Sequence, residues 1–143
     1  MSDPLTIATR VTTVLQLAAT ATRYLKDIKQ GSADRLRLRD ELRSTVCVLE
    51  MLKDRIEDSY HMPDTGEALK PVFVGALGGA HSPLSFFQRI LEDVIAKLAP
   101  QRSSHRLAQP YIWPFNKKDI SEKLVLLDRL KSDFGLIMQN DLM

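Results

Sequence analysis

Histidine is the residue type in this sequence that most often binds metals or moves protons, and the chain contains three. His61, His81 and His105 stand far apart, and none belongs to a metal-ligand pattern such as His-x-x-x-His on one helix. A protein zinc site needs about four ligands, and the sequence brings no such set together. We therefore predict that the histidines lie exposed in loops and that the protein binds no metal.

Cysteine and glutamate offer the other routes to catalysis. A nucleophilic cysteine needs a neighbouring base and an electropositive setting. Cys47 lies instead in the middle of a predicted helix, beside its apolar stripe, so we predict a small buried hydrophobic side chain. The glutamates are scattered along polar faces, and no pair stands out as an acid–base couple. These observations predict that the protein is not an enzyme.

A glycine-rich run at residues 75–79 resembles a phosphate-binding loop. It lacks the Gly-x-x-x-x-Gly-Lys-Ser/Thr spacing, and no predicted strand precedes it. We interpret the run as a hinge or as a place of close helix contact. Nucleotide binding ranks last among the functions considered, and we predict no cofactor.

The composition is that of a folded domain, with 143 residues, 44% of them hydrophobic and 27% charged. The formal net charge of +2 gives no sign of the basic surface that nucleic-acid binding requires. A single cysteine cannot form an internal disulfide, and the acidic start of the chain lacks the pattern of a signal peptide. We expect residues 1–143 to form one cytoplasmic domain of a larger protein.

Four segments have the apolar periodicity of amphipathic helices. The first covers residues 4–29, with Asp3 as its N-cap, Pro4 at its first position and Gly31 as its stop. Between Arg10 and Arg23 it carries no charge. Its predicted buried stripe consists of Ile7, Val11, Val14, Ala18, Ala21, Leu25 and Ile28.

The other three segments cover residues 33–59, residues 83–99 and the region after Asn116. Ser82 is the predicted N-cap of the third, and Pro100 is predicted to end it. Asn116 and Asp119 have the spacing of a capping box. Thr45 fills one turn of the second stripe. The predicted core residues outside the first segment are Leu42, Leu49, Leu52, Phe87, Leu91, Trp113, Phe115 and Leu127.

Two longer connections join these segments. Residues 60–82 contain several prolines and glycines, and residues 67–77 are long enough for one extra short helix. Residues 101–111 are polar and predict a loop. No stretch alternates with period two, so no strand is predicted. Because no amphipathic helix can bury its stripe alone, the pattern predicts an all-α bundle of four main helices.

Several runs of this sequence together resemble the HeLo-like domain, the N-terminal domain of fungal STAND and NOD-like receptor proteins. The resemblance covers nearly the whole chain, and its most specific part is Trp113-Pro114-Phe115 with the following Asp-Arg-Leu-Lys helix. The residues and runs that carry it are Asp3-Pro4-Leu5, Leu17, residues 24–27, residues 43–49, residues 52–54, residues 82–87, residues 113–119, residues 127–131 and residues 139–141.

The resemblance implies a helical bundle that precedes a nucleotide-binding oligomerisation module or an amyloid motif. HeLo-like domains are cell-death effectors that oligomerise, move to the plasma membrane and permeabilise it with the N-terminal helix. In this they are similar to the four-helix executioner domain of animal necroptosis. By this resemblance, the residues expected to insert are Leu5, Ile7, Val11, Val14, Leu15 and Leu17.

The first helix departs from a membrane-spanning element in its charge. Arg10 and Arg23 leave only residues 11–22 uncharged, whereas a spanning helix needs about 20 apolar residues. We expect it to be a core helix at rest and to insert only on oligomerisation. The expected partners are further copies of the chain, anionic lipid and other helical signalling domains, but not nucleic acid. The alternative is an interaction module that never enters a membrane.

Overall fold

The computed structural model of this chain describes residues 4–28, 32–60, 77–103 and 113–141. These residues form four helices and no strand, which confirms the predicted all-α bundle. The helices are α1 (Pro4–Asp27), α2 (Ser32–Tyr60), α3 (Pro83–Ser103) and α4 (Lys117–Asp141). The short helix predicted for residues 67–77 lies outside the described residues, except for Leu77, which is buried.

One apolar core joins the four helices, and α1 contributes a complete stripe to it. All seven residues of the predicted first stripe are fully buried, and the last of them, Ile28, directly follows the end of α1. Around the bundle, α1 packs against α2 and α3, and α2 packs against α4. The fourth seam, between α3 and α4, is the least extensive of the four. The bundle therefore has one loose side.

The core residues named outside α1 lie where the helices meet. Trp113 is partly buried and packs against the cluster, with its ring edge-on to Phe115 at a centroid distance of 5.1 Å. Thr45 is one of three buried polar residues in the described part of the chain, with Ser82 and Ser85, and its Oγ1 donates a hydrogen bond of 2.8 Å to the carbonyl of Glu41. The buried members are Leu42, Leu49, Leu52, Phe87, Leu91, Phe115 and Leu127.

The helix ends follow capping chemistry. Ser82 caps α3, because its Oγ accepts a hydrogen bond of 3.3 Å from the backbone N–H of Ser85. Asn116 and Asp119 form a reciprocal capping box at the start of α4, with N–O distances of 2.7 and 3.3 Å. At the C-terminal end of α1, the guanidinium of Arg35 donates a hydrogen bond of 2.9 Å to the carbonyl of Leu25.

One predicted helix end is wrong. The third helix does not stop before Pro100 but continues to Ser103. A proline disfavours the helical conformation of the preceding residue and removes one backbone hydrogen bond. Neither effect forbids a further turn, and here the helix accommodates both.

A charged cluster holds α3 to α4 at the end where α4 begins. Asp93 on α3 lies 2.7 Å from the ammonium of Lys123 on α4 and 3.6 Å from that of Lys97 one turn along α3. Both ammonium groups also approach the ring of Phe115: that of Lys97 lies 5.3 Å from the ring centroid, and that of Lys123 lies 5.5 Å from it. Burial raises the pKa of Asp93, but the hydrogen bond and charge of Lys123, together with Lys97, outweigh it and lower the pKa below 3.8.

This lowered pKa predicts an acid-dependent loss of stability. Because the carboxylate is favoured in the folded state, its contribution is complete above the unfolded pKa and is lost as pH falls through the folded value. Asp93 is partly exposed, so we expect only about 0.2–1 kcal/mol. Urea unfolding of wild type and Asp93→Asn at neutral and acidic pH measures this. The two proteins should differ at neutral pH and converge in acid; a constant difference would contradict it.

Candidate functional site

The residue types considered first for catalysis do not form a reactive centre within the described residues. Cys47 is exposed, so its predicted burial is wrong. It stands two residues from both Thr45 and Leu49, and two residues turn a helix by about 200°, which directs Cys47 away from the core. His81 is exposed in the turn before α3. His61 and His105 lie outside the described residues. The described part of the chain contains no group of potential metal ligands.

The end of the glycine-rich run gathers acceptors rather than donors. The guanidinium of Arg10 donates hydrogen bonds to the carbonyls of Leu77 and Gly78, at 3.2 and 3.1 Å. The hydroxyl of Ser85 donates to the carbonyl of Gly79 at 2.9 Å. A phosphate loop must aim backbone N–H groups at its ligand. Here carbonyl oxygens point inward and are already bound, so this part of the run has the wrong polarity for phosphate.

Arg10 therefore ties α1 to the beginning of α3. Besides the two carbonyls, its guanidinium donates to the Oγ of Ser85 at 2.8 Å. In the sequence, Arg10 is recognisable only as a boundary of the uncharged stretch of α1. Its partners are more than 60 positions away in the chain, so no local pattern could have revealed this role.

The residues expected to enter a membrane belong to the core in this structure. Ile7, Val11 and Val14 are fully buried. Leu15 and Leu17 are partly buried and pack against the core. The side chain of Leu5 lies outside the described residues. Among the helices described, none is both long and apolar enough to cross a membrane.

The loose seam between α3 and α4 forms an apolar groove of about 420 Å³. Phe86 on α3 and Leu126 on α4 line it and are each 43% exposed, while Ile90 and Leu130 are almost fully buried. Arg89, Arg129 and Asp133 complete the lining. These seven residues are called the α3–α4 groove below.

The three charged residues of the groove are held differently. Arg89 donates to the carbonyl of Ala80 at 3.1 Å, and its guanidinium lies 5.4 Å from the ring centroid of Phe86. Arg129 and Asp133 are one turn apart on α4, yet neither forms an ion pair or a hydrogen bond with any described residue. Two opposite charges beside an apolar floor are therefore available to a ligand of the groove.

No family model, curated protein or solved structure matches this chain.

The apolar surface of the groove continues along α4. Of the six large hydrophobic residues exposed in the described part of the chain, Val125, Leu126 and Leu136 lie on α4, and Phe86 faces the same helix across the groove. Single exposed hydrophobic residues are normal, but a contiguous group marks an interaction site. The signal was present in the sequence as the apolar doublet 86–87 and the run of four apolar residues 124–127, since consecutive apolar residues cannot all face one core.

Proposed function

We propose that this chain is a non-enzymatic signalling module that binds another α-helix in the α3–α4 groove. The observation that carries the proposal is the exposure of Phe86 and Leu126 on opposite walls of a groove with a buried apolar floor. Removal of this apolar surface from water favours the formation of a complex. A helix is the natural ligand, because its apolar face fills a groove between two helices.

The charged lining gives such binding its orientation. Binding is strengthened when the partner helix places an acidic residue opposite Arg129 and a basic residue opposite Asp133. A partner with like charges pays a desolvation and repulsion penalty, which is how charged rims select among apolar ligands. The apolar floor of the groove thus provides affinity without a preferred direction, and the two charges determine the orientation of the bound helix.

Selection of helical peptides tests the proposal directly. A displayed library of amphipathic helices is selected against the wild-type chain, and the selected peptides are then measured on Leu126→Asp and Phe86→Asp. Both variants should weaken binding by at least about tenfold, the equivalent of 1.4 kcal/mol. Met51→Asp is the matched control, because Met51 is an exposed hydrophobic residue on α2, away from the groove.

The control decides how the result is interpreted. Unchanged binding by Met51→Asp, with loss in both groove variants, supports the proposal. Equal binding by all four proteins, or equal loss in the control, contradicts it. Circular dichroism of each variant verifies that the helices are retained, as expected for substitutions at exposed positions.

The resemblance to the HeLo-like domain gives this module a biological setting. We place it as the cytoplasmic signalling domain of a fungal receptor, which the receptor's sensor clusters. The four-helix architecture supports this placement, because a helical bundle is the fold that the resemblance implies. Groove binding would then transmit clustering to a second helical domain.

A second candidate function is membrane permeabilisation after clustering, with relocation to the plasma membrane. The observation that favours it lies in α1, which is uncharged over residues 11–22 and whose Arg10 is hydrogen-bonded to Leu77 and Gly78 before α3 and to Ser85 within it. Release of α1 would expose an apolar face long enough to enter one leaflet. Arg10 and Arg23 would then lie near the lipid headgroups.

Dye release from anionic liposomes tests this second function. The chain is fused to a domain that a small molecule oligomerises, and leakage is recorded before and after its addition. Leakage only after oligomerisation, and its loss in Ala19→Asp, which adds a charge at an exposed position of the uncharged stretch, supports permeabilisation. Intact liposomes in the presence of the oligomer contradict it. That outcome does not affect groove binding, which needs no lipid.

A further inference from the structure

We infer that the helix bound in the α3–α4 groove is α4 of a second copy of this chain, packed antiparallel to the first. The inference rests on the proposed function and adds the identity and the direction of the partner. It follows from the order of residues along the exposed side of α4.

Five described residues form a stripe on α4 beside its buried face. Their spacing alternates between four and three residues, which is the spacing of a helix–helix seam. At about 100° for each residue, they fall within an arc of about 80°. In chain order the stripe consists of Glu122, Leu126, Arg129, Asp133 and Leu136. Three of its members, Leu126, Arg129 and Asp133, line the α3–α4 groove.

This stripe is complementary to itself when two copies run in opposite directions. A two-fold axis placed midway between Arg129 and Asp133 brings Leu126 of each copy opposite Leu136 of the other. The same axis brings Arg129 of each copy opposite Asp133 of the other. Arg129 and Asp133, which have no partner among the described residues of one copy, thus acquire one each, and the exposed Leu126 and Leu136 of both copies are covered. Such a contact is isologous and closes after two subunits.

The parallel arrangement fails on the same residues. In a parallel in-register pair, Arg129 would face Arg129 and Asp133 would face Asp133. Like charges opposed across an apolar seam repel each other and lose hydration. Only the antiparallel register satisfies both charges of the stripe at once.

Phe86 agrees with this placement. It stands on the opposite wall of the groove from Leu126, so a helix that covers the α4 stripe also covers its ring. In the two-fold assembly the two α4 helices lie side by side, and α3 of each copy flanks the helix of the other. The loose seam of each bundle is thereby filled by its partner.

Charge reversal tests the inference with the full chain. Sedimentation velocity is measured from micromolar to millimolar concentration for wild type, Arg129→Asp and Asp133→Arg. Wild type should dimerise, and each single variant should dissociate at least about tenfold more readily, because two like-charged pairs replace two ion pairs. Arg43→Asp is the control, since Arg43 is exposed on α2 and lies outside the stripe.

The decisive measurement is an equimolar mixture of the two single variants. One copy then carries two acidic residues and the other two basic residues, so the antiparallel register predicts a heterodimer from two proteins that are each monomeric. The double variant R129D/D133R should also dimerise with itself. A monomeric wild type, or no association in the mixture, overturns the inference. If selected helical peptides still require Leu126 in that case, groove binding survives and the partner is another protein.

Discussion

Replacement of Phe134 by alanine is expected to lower the free energy of unfolding by about 3–5 kcal/mol, the cost of removing a buried aromatic ring. Phe134 is fully buried on α4, and its ring centroid lies 6.2 Å from that of Phe87 on α3. The pair joins the two helices that otherwise pack least extensively. Since such domains are stable by only about 5–15 kcal/mol, the variant should lose a large fraction of its stability. Urea denaturation followed by circular dichroism measures the loss.

Met51→Ala provides the matched comparison. Met51 is an exposed hydrophobic residue on α2, so its truncation should change stability by no more than about 0.5 kcal/mol. A similar loss in both variants would contradict the expected role of the Phe87–Phe134 contact. A selective loss in Phe134→Ala would show that this buried ring contributes a large part of the stability of the bundle.

The apolar stripes could be predicted from the sequence because a helix repeats every 3.6 residues and a stripe must be buried. Ile7, Val11, Val14 and Leu25 on α1 are fully buried for this reason. The capping box at Asn116 was likewise predictable, because its two hydrogen bonds span three residues. Local rules suffice wherever both partners belong to one helix.

Prediction from the sequence was wrong or incomplete where the outcome depended on the helix face that a residue occupies or on a neighbouring helix. Cys47 was assigned to the core although Thr45 and Leu49 already define the buried direction of that turn. The α3–α4 groove was not predicted, because both Phe86 and Phe87 qualify for burial and only the position of α4 decides between them. A groove depends on the distance between two helices, and no periodicity within either helix reports that distance.

Arg10 is the clearest case of a role that only the tertiary structure reveals, and its loss has the second large expected effect. Arg10→Met should lower the free energy of unfolding by about 1.5–3 kcal/mol, the usual contribution of a charged hydrogen bond. The carbonyls of Leu77 and Gly78 would lose their charged donor, and Ser85 would lose one bond. Methionine preserves the apolar stem and much of the length, so the change reports on the guanidinium.

Hydrogen exchange distinguishes a local from a global consequence. Because Arg10 ties the first turns of α1 to α3, the amides of residues 6–14 should exchange faster in Arg10→Met than the amides of α2. Arg43→Met is the control: Arg43 is exposed, and it forms no ion pair or hydrogen bond with the described residues. Faster exchange confined to α1 would show that Arg10 stabilises the packing of this helix on the bundle. Liposome leakage would then be expected to begin earlier for Arg10→Met than for wild type. Equal exchange in both variants would contradict that role and would leave the apolar stripe as the restraint on α1.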